Sequence, residues 1–132
     1  MLFREFAVTF VLLWSVPQII EFLNSAGVSP FARWRDNLDS VTRSRVTLAV
    51  YRLESGNFSA AKGAGDGIYE SRLDFGPGYR IYFGKDGEKL VILLGGGTKK
   101  RQQSDIEAAR ALWLEYKRTK ATRRADGSNK KI

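Results

Sequence analysis

Two arginines, Arg72 and Arg80, stand on either side of a Gly-Pro-Gly turn at residues 76–78. A guanidinium presents several hydrogen-bond donors to a phosphate and stays protonated. If the turn is a three-residue hairpin loop, side-chain alternation places both arginines on one exposed polar face, where they could bind one anion together. In that register Asp74 faces Arg80. Ordinary cross-strand ion pairs with Asp74 and Glu70, which stabilise a surface little, are therefore an open alternative.

A second group of cations follows three consecutive glycines after the last predicted strand. Its members are Lys99, Lys100 and Arg101. A glycine-rich bend that leads into a helix N-terminus can bind phosphate, although this segment matches neither a Walker nor a dinucleotide motif. Lys62 adds a cation in the segment 58–67, whose many small residues predict a flexible loop. We therefore expect a basic surface around the hairpin.

The chain contains no cysteine and no histidine. A disulfide framework, a thiol nucleophile and a thiolate metal site are thereby excluded. The commonest general base and the commonest zinc ligand are missing as well, which argues against a zinc or haem enzyme. Any catalysis must use Lys, Arg, Tyr, Ser or carboxylate side chains.

The net charge of +8 is concentrated at the C-terminus. Residues 117–132 hold seven basic residues and one acid, so residues 1–116 carry only +2. The polar composition of residues 118–132 predicts a disordered basic tail, either solvated or in contact with RNA or a partner. The global charge is therefore weak evidence about the domain itself.

The first 16 residues form an apolar N-terminal extension. Its apolar run at residues 6–16 is shorter than the roughly 20 residues of a membrane-spanning helix, so no membrane anchor is expected. A signal peptide is also disfavoured, because the start lacks a clear positive run and a clean cleavage site. An additional packed element and an extension that the fold does not need remain alternatives.

The remaining pattern predicts one α+β domain over residues 17–117. The predicted elements are a strand at 18–24, a helix from Pro30, a helix at about 39–55, strands at 68–75, 79–83 and 89–94, and a helix at 102–117. We expect a small, mainly antiparallel sheet of about four strands, packed against two N-terminal helices and a C-terminal helix. Three arginines are interpreted as the solvated face of the second helix: Arg43, Arg45 and Arg52.

Two motifs, "GIYESRLDFGPGYRIYF" and "LVILLGGGTKKRQQSDIEAARALWLEY", resemble the RelE/HigB-like toxin superfamily, in the phage-derived addiction-module killer branch. The resemblance spans about residues 18–117 and implies a RelE/ParE-like fold. It further implies a cytoplasmic toxin of a type II toxin-antitoxin pair that cleaves mRNA, often on the ribosome. The implied partners are mRNA, the ribosome and a cognate helix-turn-helix antitoxin, with no cofactor and no membrane.

The resemblance also implies site residues. Catalytic roles fall on Arg72, Arg80 and Lys99, and RNA contacts on Lys62, Lys100 and Arg101. The implied reaction is attack of an RNA 2′-hydroxyl on the adjacent phosphate, which yields a 2′,3′-cyclic phosphate and a 5′-hydroxyl and needs no metal. Glu70 is the candidate proton handler, and a neutral Lys62 is the alternative acceptor. Gln102 and Asp105 match the start of the family's last helix.

Three departures from the family pattern bear on activity. Ser71 replaces a larger apolar residue, and Thr98 stands where many relatives carry an acid. The proton-handling Tyr or His of well-known relatives has no match on the last helix, so the general base is unassigned. Two other functions are therefore compatible with the sequence: a toxin-fold protein that binds a target such as DNA gyrase, and an inactive phage remnant.

Overall fold

The computed structural model describes residues 16–130, with side chains as far as residue 127. Its elements are β1 (Gln18–Glu21), α1 (Pro30–Asp36), α2 (Ser40–Glu54), β2 (Ala61–Gly65), β3 (Ile68–Arg72), β4 (Arg80–Asp86), β5 (Leu90–Gly97), a 3-10 turn (Lys99–Arg101) and α3 (Gln102–Lys130). The predicted α+β class is confirmed. The apolar extension predicted at 1–16 lies almost wholly outside the described residues.

The described strands form one mixed sheet of five, in the order β1-β5-β4-β3-β2. β1 pairs in parallel with β5, and every other pairing is antiparallel. The expectation of about four strands was too low, because β2 lies in the segment predicted as a flexible loop. An edge strand is held by backbone hydrogen bonds, so small side chains do not prevent it.

A two-residue turn joins β2 to β3. Asp66 and Gly67 have positive φ angles of 56° and 82°, as a tight hairpin turn requires at both central positions. An Asp-Gly pair is a strong hairpin signal, and its presence here could have revealed β2. The pairing sets Lys62 opposite Glu70, which brings the cation to the site described below.

Helices cover both faces of the sheet. α1 and α2 pack on one face, in a core that includes Phe31, Val46, Leu53, Ile81 and Phe83. α3 packs on the other, in a core that includes Ile68, Tyr82, Ile92, Leu94 and Trp113. The uninterrupted apolar run "LVILL" at residues 90–94 predicts a strand covered on both faces, and residues 91–94 of β5 are indeed all buried.

The three glycines at 95–97 continue β5 and do not form the predicted bend. Helix side chains lie directly against this strand end. A Cβ atom on Gly96 would overlap the ring of Trp34, and one on Gly97 would overlap the carboxylate of Asp105. Glycine is therefore required here by the close approach of neighbouring side chains.

Local capping explains where the two N-terminal helices begin. Ser29 Oγ accepts a hydrogen bond from the Ala32 amide, and Pro30 occupies the first turn of α1. Asp39 caps α2 in the same way through the Thr42 amide. This bond and the Thr42 hydroxyl lower the pKa of Asp39.

α3 continues well beyond its predicted end at residue 117. Residues 118–130, expected to belong to a disordered tail, are helical. Asp86, the last residue of β4, accepts hydrogen bonds from Lys120 and Tyr116, each at 2.6 Å, and these bonds lower the pKa of Asp86. The contact ties the middle of α3 to the sheet. None of the helices within residues 16–130 combines the length and apolar character needed to cross a bilayer.

Candidate functional site

A buried carboxylate, Glu70, organises the basic end of the sheet. Its side chain is 1% exposed and accepts hydrogen bonds from Gln102 Nε2 at 3.2 and 3.0 Å. Lys62 Nζ lies 3.3 Å from one carboxylate oxygen, and Arg80 Nε lies 3.5 Å from the other. Residues from β2, β3, β4 and α3 thus meet at one anion, which we call the Glu70 cluster.

Arg80 is buried, so the expectation that both arginines lie on an exposed face was wrong. Its side chain is 4% exposed, and Nη1 donates a 2.8 Å hydrogen bond to the carbonyl of Gly78. Side-chain alternation predicts that this face of the hairpin is polar and exposed. In the structure the first turns of α3 cover it, and Gln102 of α3 donates a hydrogen bond to Glu70 there. A buried guanidinium needs such partners, because an isolated charge is costly to desolvate.

The hairpin register also differs from the predicted one. Arg72 pairs with Arg80, not with Tyr82, and Asp74 lies within the connection rather than opposite Arg80. The backbone amide of Leu73 instead bonds the carbonyl of Tyr79 at 2.9 Å. The observed pairing register is shifted from the predicted one by an even number of residues, so the same hairpin residues share a face as predicted. The predicted Asp74–Arg80 pair does not form.

Arg72 is adjacent to Arg80 in the sheet, yet its side chain lies in a different environment. It is exposed, and within residues 16–130 it forms no side-chain hydrogen bond and no ion pair. It lines a cleft together with Arg45 and Arg52 of α2. The structure therefore brings the two arginines together in the backbone but separates their charged groups.

Lys99 lies over the β3–β4 connection. Its amide bonds the carbonyl of Pro77 at 3.4 Å. The position that a Cβ on Gly78 would occupy is 3.3 Å from Lys99 Cβ and 3.4 Å from Arg80 Nη1, so Gly78 separates the two basic residues. Gly78 has a φ of 75°, a conformation that favours glycine. Exposed Lys100 and Arg101 follow in the 3-10 turn.

Two acidic groups with raised pKa values lie behind the Glu70 cluster. Burial, followed by the charges of Glu70 and Asp105, raises the pKa of Tyr82 to about 12. Burial also raises the pKa of Asp105, against an opposing effect of Arg101. Among the described residues, the Tyr82 hydroxyl and one Asp105 oxygen are buried without a hydrogen-bond partner.

The basic side chains of this region give it a positive charge that attracts anions, and some of them are held in place by neighbouring groups. Lys62, Arg72 and Lys99 are exposed around one end of the sheet, whereas Arg80 is held inside it. Glu70 is inaccessible, and its oxygens are engaged by three neighbours. Proton transfer to Glu70 would require at least one of these contacts to break.

The sequence pattern missed two features of this region. Gln102 was assigned only to the helix start, but its amide is a ligand of the buried carboxylate. Arg45 and Arg52 are exposed, as the interpretation of a solvated face predicts, but that interpretation did not show that they line one cleft with Arg72. Their seven-residue spacing, two turns of one helix, is the available signal.

Comparison with known proteins identifies one relative. The chain is 40% identical, over 86 residues, to an uncharacterized protein of Haemophilus influenzae, and the match covers 64% of this chain and 87% of that protein. The chain belongs to the same family as that protein. No family model matches the chain, and no solved structure does.

Proposed function

We propose that this protein is a RelE/HigB-like toxin that acts as an mRNA endoribonuclease. The observation that carries the proposal is the presence of four basic residues at one end of the sheet, two of them ion-paired with a buried carboxylate. They are Lys62, Arg72, Arg80 and Lys99. Fixed cations around a surface that the solvent reaches are suited to a phosphate whose charge grows during reaction.

The geometry supports different roles for the four residues. Lys62, Arg72 and Lys99 are exposed and are the groups that contact the phosphate. Arg80 is a positioning residue: it forms an ion pair with Glu70 and fixes the connection at Gly78, beside which Lys99 lies. Glu70 in turn orients the Lys62 ammonium, whose side chain is 60% exposed.

The proposed reaction proceeds by in-line displacement. The RNA 2′-oxygen forms a bond to phosphorus, the bond from phosphorus to the 5′-oxygen breaks, and the products are a 2′,3′-cyclic phosphate and a 5′-hydroxyl. The leaving 5′-oxygen takes its proton from Lys99, and the 2′ proton passes to solvent water, since Glu70 is engaged. Arg72 and Lys62 stabilise the charge on the pentacoordinate phosphorus.

Induced expression in a bacterial host tests this function. We expect growth arrest and new RNA 5′-hydroxyl ends with the wild type, and loss of both with Arg72→Ala combined with Lys99→Ala. The matched control is Arg118→Ala, an exposed cation of α3 outside the site, which should arrest growth as the wild type does. Ends confined to translated frames would place the reaction on the ribosome.

The other outcomes overturn the ribonuclease proposal. Growth arrest without new RNA ends would indicate a toxin that binds another target, such as DNA gyrase. Normal growth and unchanged RNA, with the protein present at wild-type level, would indicate an inactive remnant. Co-expression with a helix-turn-helix protein encoded beside the gene would test the expected antitoxin partner.

A further inference from the structure

Three arginines from two elements line one cleft of about 510 Å³ between α2 and the end of β3. We call it the arginine cleft; the residues that define it are Arg45, Arg52, Arg72, Asn57, Ser59 and Phe75. We propose that the arginine cleft binds a segment of single-stranded RNA next to the cleaved phosphate. The inference rests on the proposed function and names a second contact surface for the same substrate.

The charges of the cleft are only partly balanced, because three arginines and one acid line it. Within residues 16–130, none of Arg45, Arg52 and Arg72 forms an ion pair. Asp74 also lines the cleft but forms no ion pair with them. Three like charges in a concave surface repel one another and raise the positive potential inside it. A bound polyanion removes that repulsion and is attracted by the potential.

An aromatic ring completes the cleft and favours a nucleic acid over an acidic peptide. The Arg45 guanidinium lies 4.9 Å from the centre of the Phe75 ring, which is half-buried and stacks on Tyr79 at 6.3 Å. Because Arg45 lies over the ring, the surface offered to an unpaired base is the outer face of the Arg45 guanidinium plane, on which bases stack. An acidic peptide would use the charges but not the ring.

The arginine cleft and the Glu70 cluster are linked through the sheet. Arg72, which lines the cleft, pairs in the sheet with Arg80 of the cluster. In the proposed complex, Arg72 contacts the RNA next to the phosphate that Lys99 binds, and Arg45 and Arg52 contact the adjoining nucleotide. The volume is sufficient for a nucleotide, since ligand sites typically begin at about 300 Å³.

Binding of an uncleavable probe tests the cleft independently of catalysis. The probe is a fluorescent single-stranded RNA with 2′-O-methyl groups throughout, titrated at several salt concentrations. We expect Arg45→Gln and Arg52→Gln each to weaken binding about tenfold and to lower the salt slope by about 0.7 per lost phosphate contact. Arg43→Gln, an exposed arginine of the same helix outside the cleft, is the matched control and should bind like the wild type.

Two further variants keep the test decisive. Arg52→Lys retains the charge and should recover most of the affinity, and Arg45→Lys should recover the charge contribution alone. If Arg45→Gln is poorly folded, as a thermal melt would reveal, Arg52→Gln carries the test, because Arg52 has no ring contact among the described residues.

The outcomes separate this inference from the proposed function. Wild-type cleavage with unchanged probe affinity in both glutamine variants would overturn the cleft and leave the ribonuclease standing. Weakened binding in the variants, with no cleavage by the wild type, would support the RNA site and overturn the ribonuclease. Poly-glutamate, titrated in the same way, serves as a probe for an acidic protein partner. If the glutamine variants lose poly-glutamate binding and keep RNA binding, the inference is overturned in favour of such a partner.

Discussion

The Glu70 cluster and the arginine cleft use the same kinds of residue in opposite ways. Arg80 and Arg72 pair with each other in the sheet, but Arg80 is buried against a carboxylate and Arg72 is exposed among other arginines. A buried cation is retained only with its counter-ion, whereas an exposed cation is free to bind an external anion. The difference predicts a structural role for the buried pair of Glu70 and Arg80, and it is compatible with the binding role proposed for the cleft.

Removal of the Glu70 charge should have the largest effect. Glu70→Gln leaves Arg80 buried without a counter-ion, so we expect a loss of about 3 to 5 kcal/mol in the free energy of unfolding. Urea denaturation measures it, with Glu88→Gln, an exposed acid of the β4–β5 turn, as the control. A loss no greater than that of the control would contradict the assignment of the cluster as structural.

The second prediction separates the two arginines. Arg80→Met should lower the free energy of unfolding of the wild type strongly. In a protein that already carries Glu70→Gln, the same substitution should lower it by about 0.5 to 3 kcal/mol less, because the two groups are coupled. Arg72→Met should stay within about 0.5 kcal/mol in both backgrounds. The measurement is a double-mutant cycle by chemical denaturation; equal costs for Arg80→Met in both backgrounds would show that the pair is not coupled.

Alkaline pH should weaken the fold through the tyrosines behind the cluster. The pKa of Tyr82 is raised to about 12, and burial with the Asp86 hydrogen bond raises that of Tyr116 to about 12. An unfolded tyrosine titrates near about 10, so the folded state retains protons that the unfolded state loses between about pH 10 and 12. Stability should therefore fall as pH rises through this window.

Unfolding curves collected across that pH range measure the effect. Tyr82→Phe should reduce the slope of stability against pH, because its hydroxyl no longer titrates. Arg52→Gln should leave the slope unchanged, since the arginine cleft contributes no group that titrates there. An identical slope for Tyr82→Phe and the wild type would contradict the raised pKa.

The smallest effect is expected in the arginine cleft. Arg52→Gln removes one of three mutually repelling charges, so the protein should gain stability, within about 0.5 kcal/mol. Added salt screens the repulsion and should shrink the gain. Thermal melts at low and high salt measure it against Arg43→Gln; a loss of stability in Arg52→Gln alone would mean that Arg52 is a structural residue.

Local signals predicted much of the fold. Pro30 and Asp39 marked the starts of α1 and α2, and the apolar run at 91–94 predicted a strand buried on both faces. The predictions failed where contacts between residues distant in the sequence determine how far an element extends. Gly96 and Gly97 extend β5 because Trp34 and Asp105 pack on them, and no local pattern at the glycines shows those side chains.

The candidate site was predictable in part. The cations around the hairpin were identified from spacing, and the even-numbered shift of register preserved their parity. The bond from Gln102 to Glu70 was not predictable, because it joins residues 32 positions apart. That Arg45 and Arg52 line one cleft with Arg72 likewise depends on how α2 packs on the sheet.

The sequence by itself determined the α+β class, the helix starts, the lack of thiol and imidazole chemistry, and which hairpin residues share a face. These properties follow from composition, capping and the two-residue period of a strand. Only the tertiary structure decided that α3 covers the face of Glu70 and Arg80 and leaves Arg72 outside. Burial depends on contacts between distant segments, and the burial of a charge determines whether it must be paired or remains available to bind.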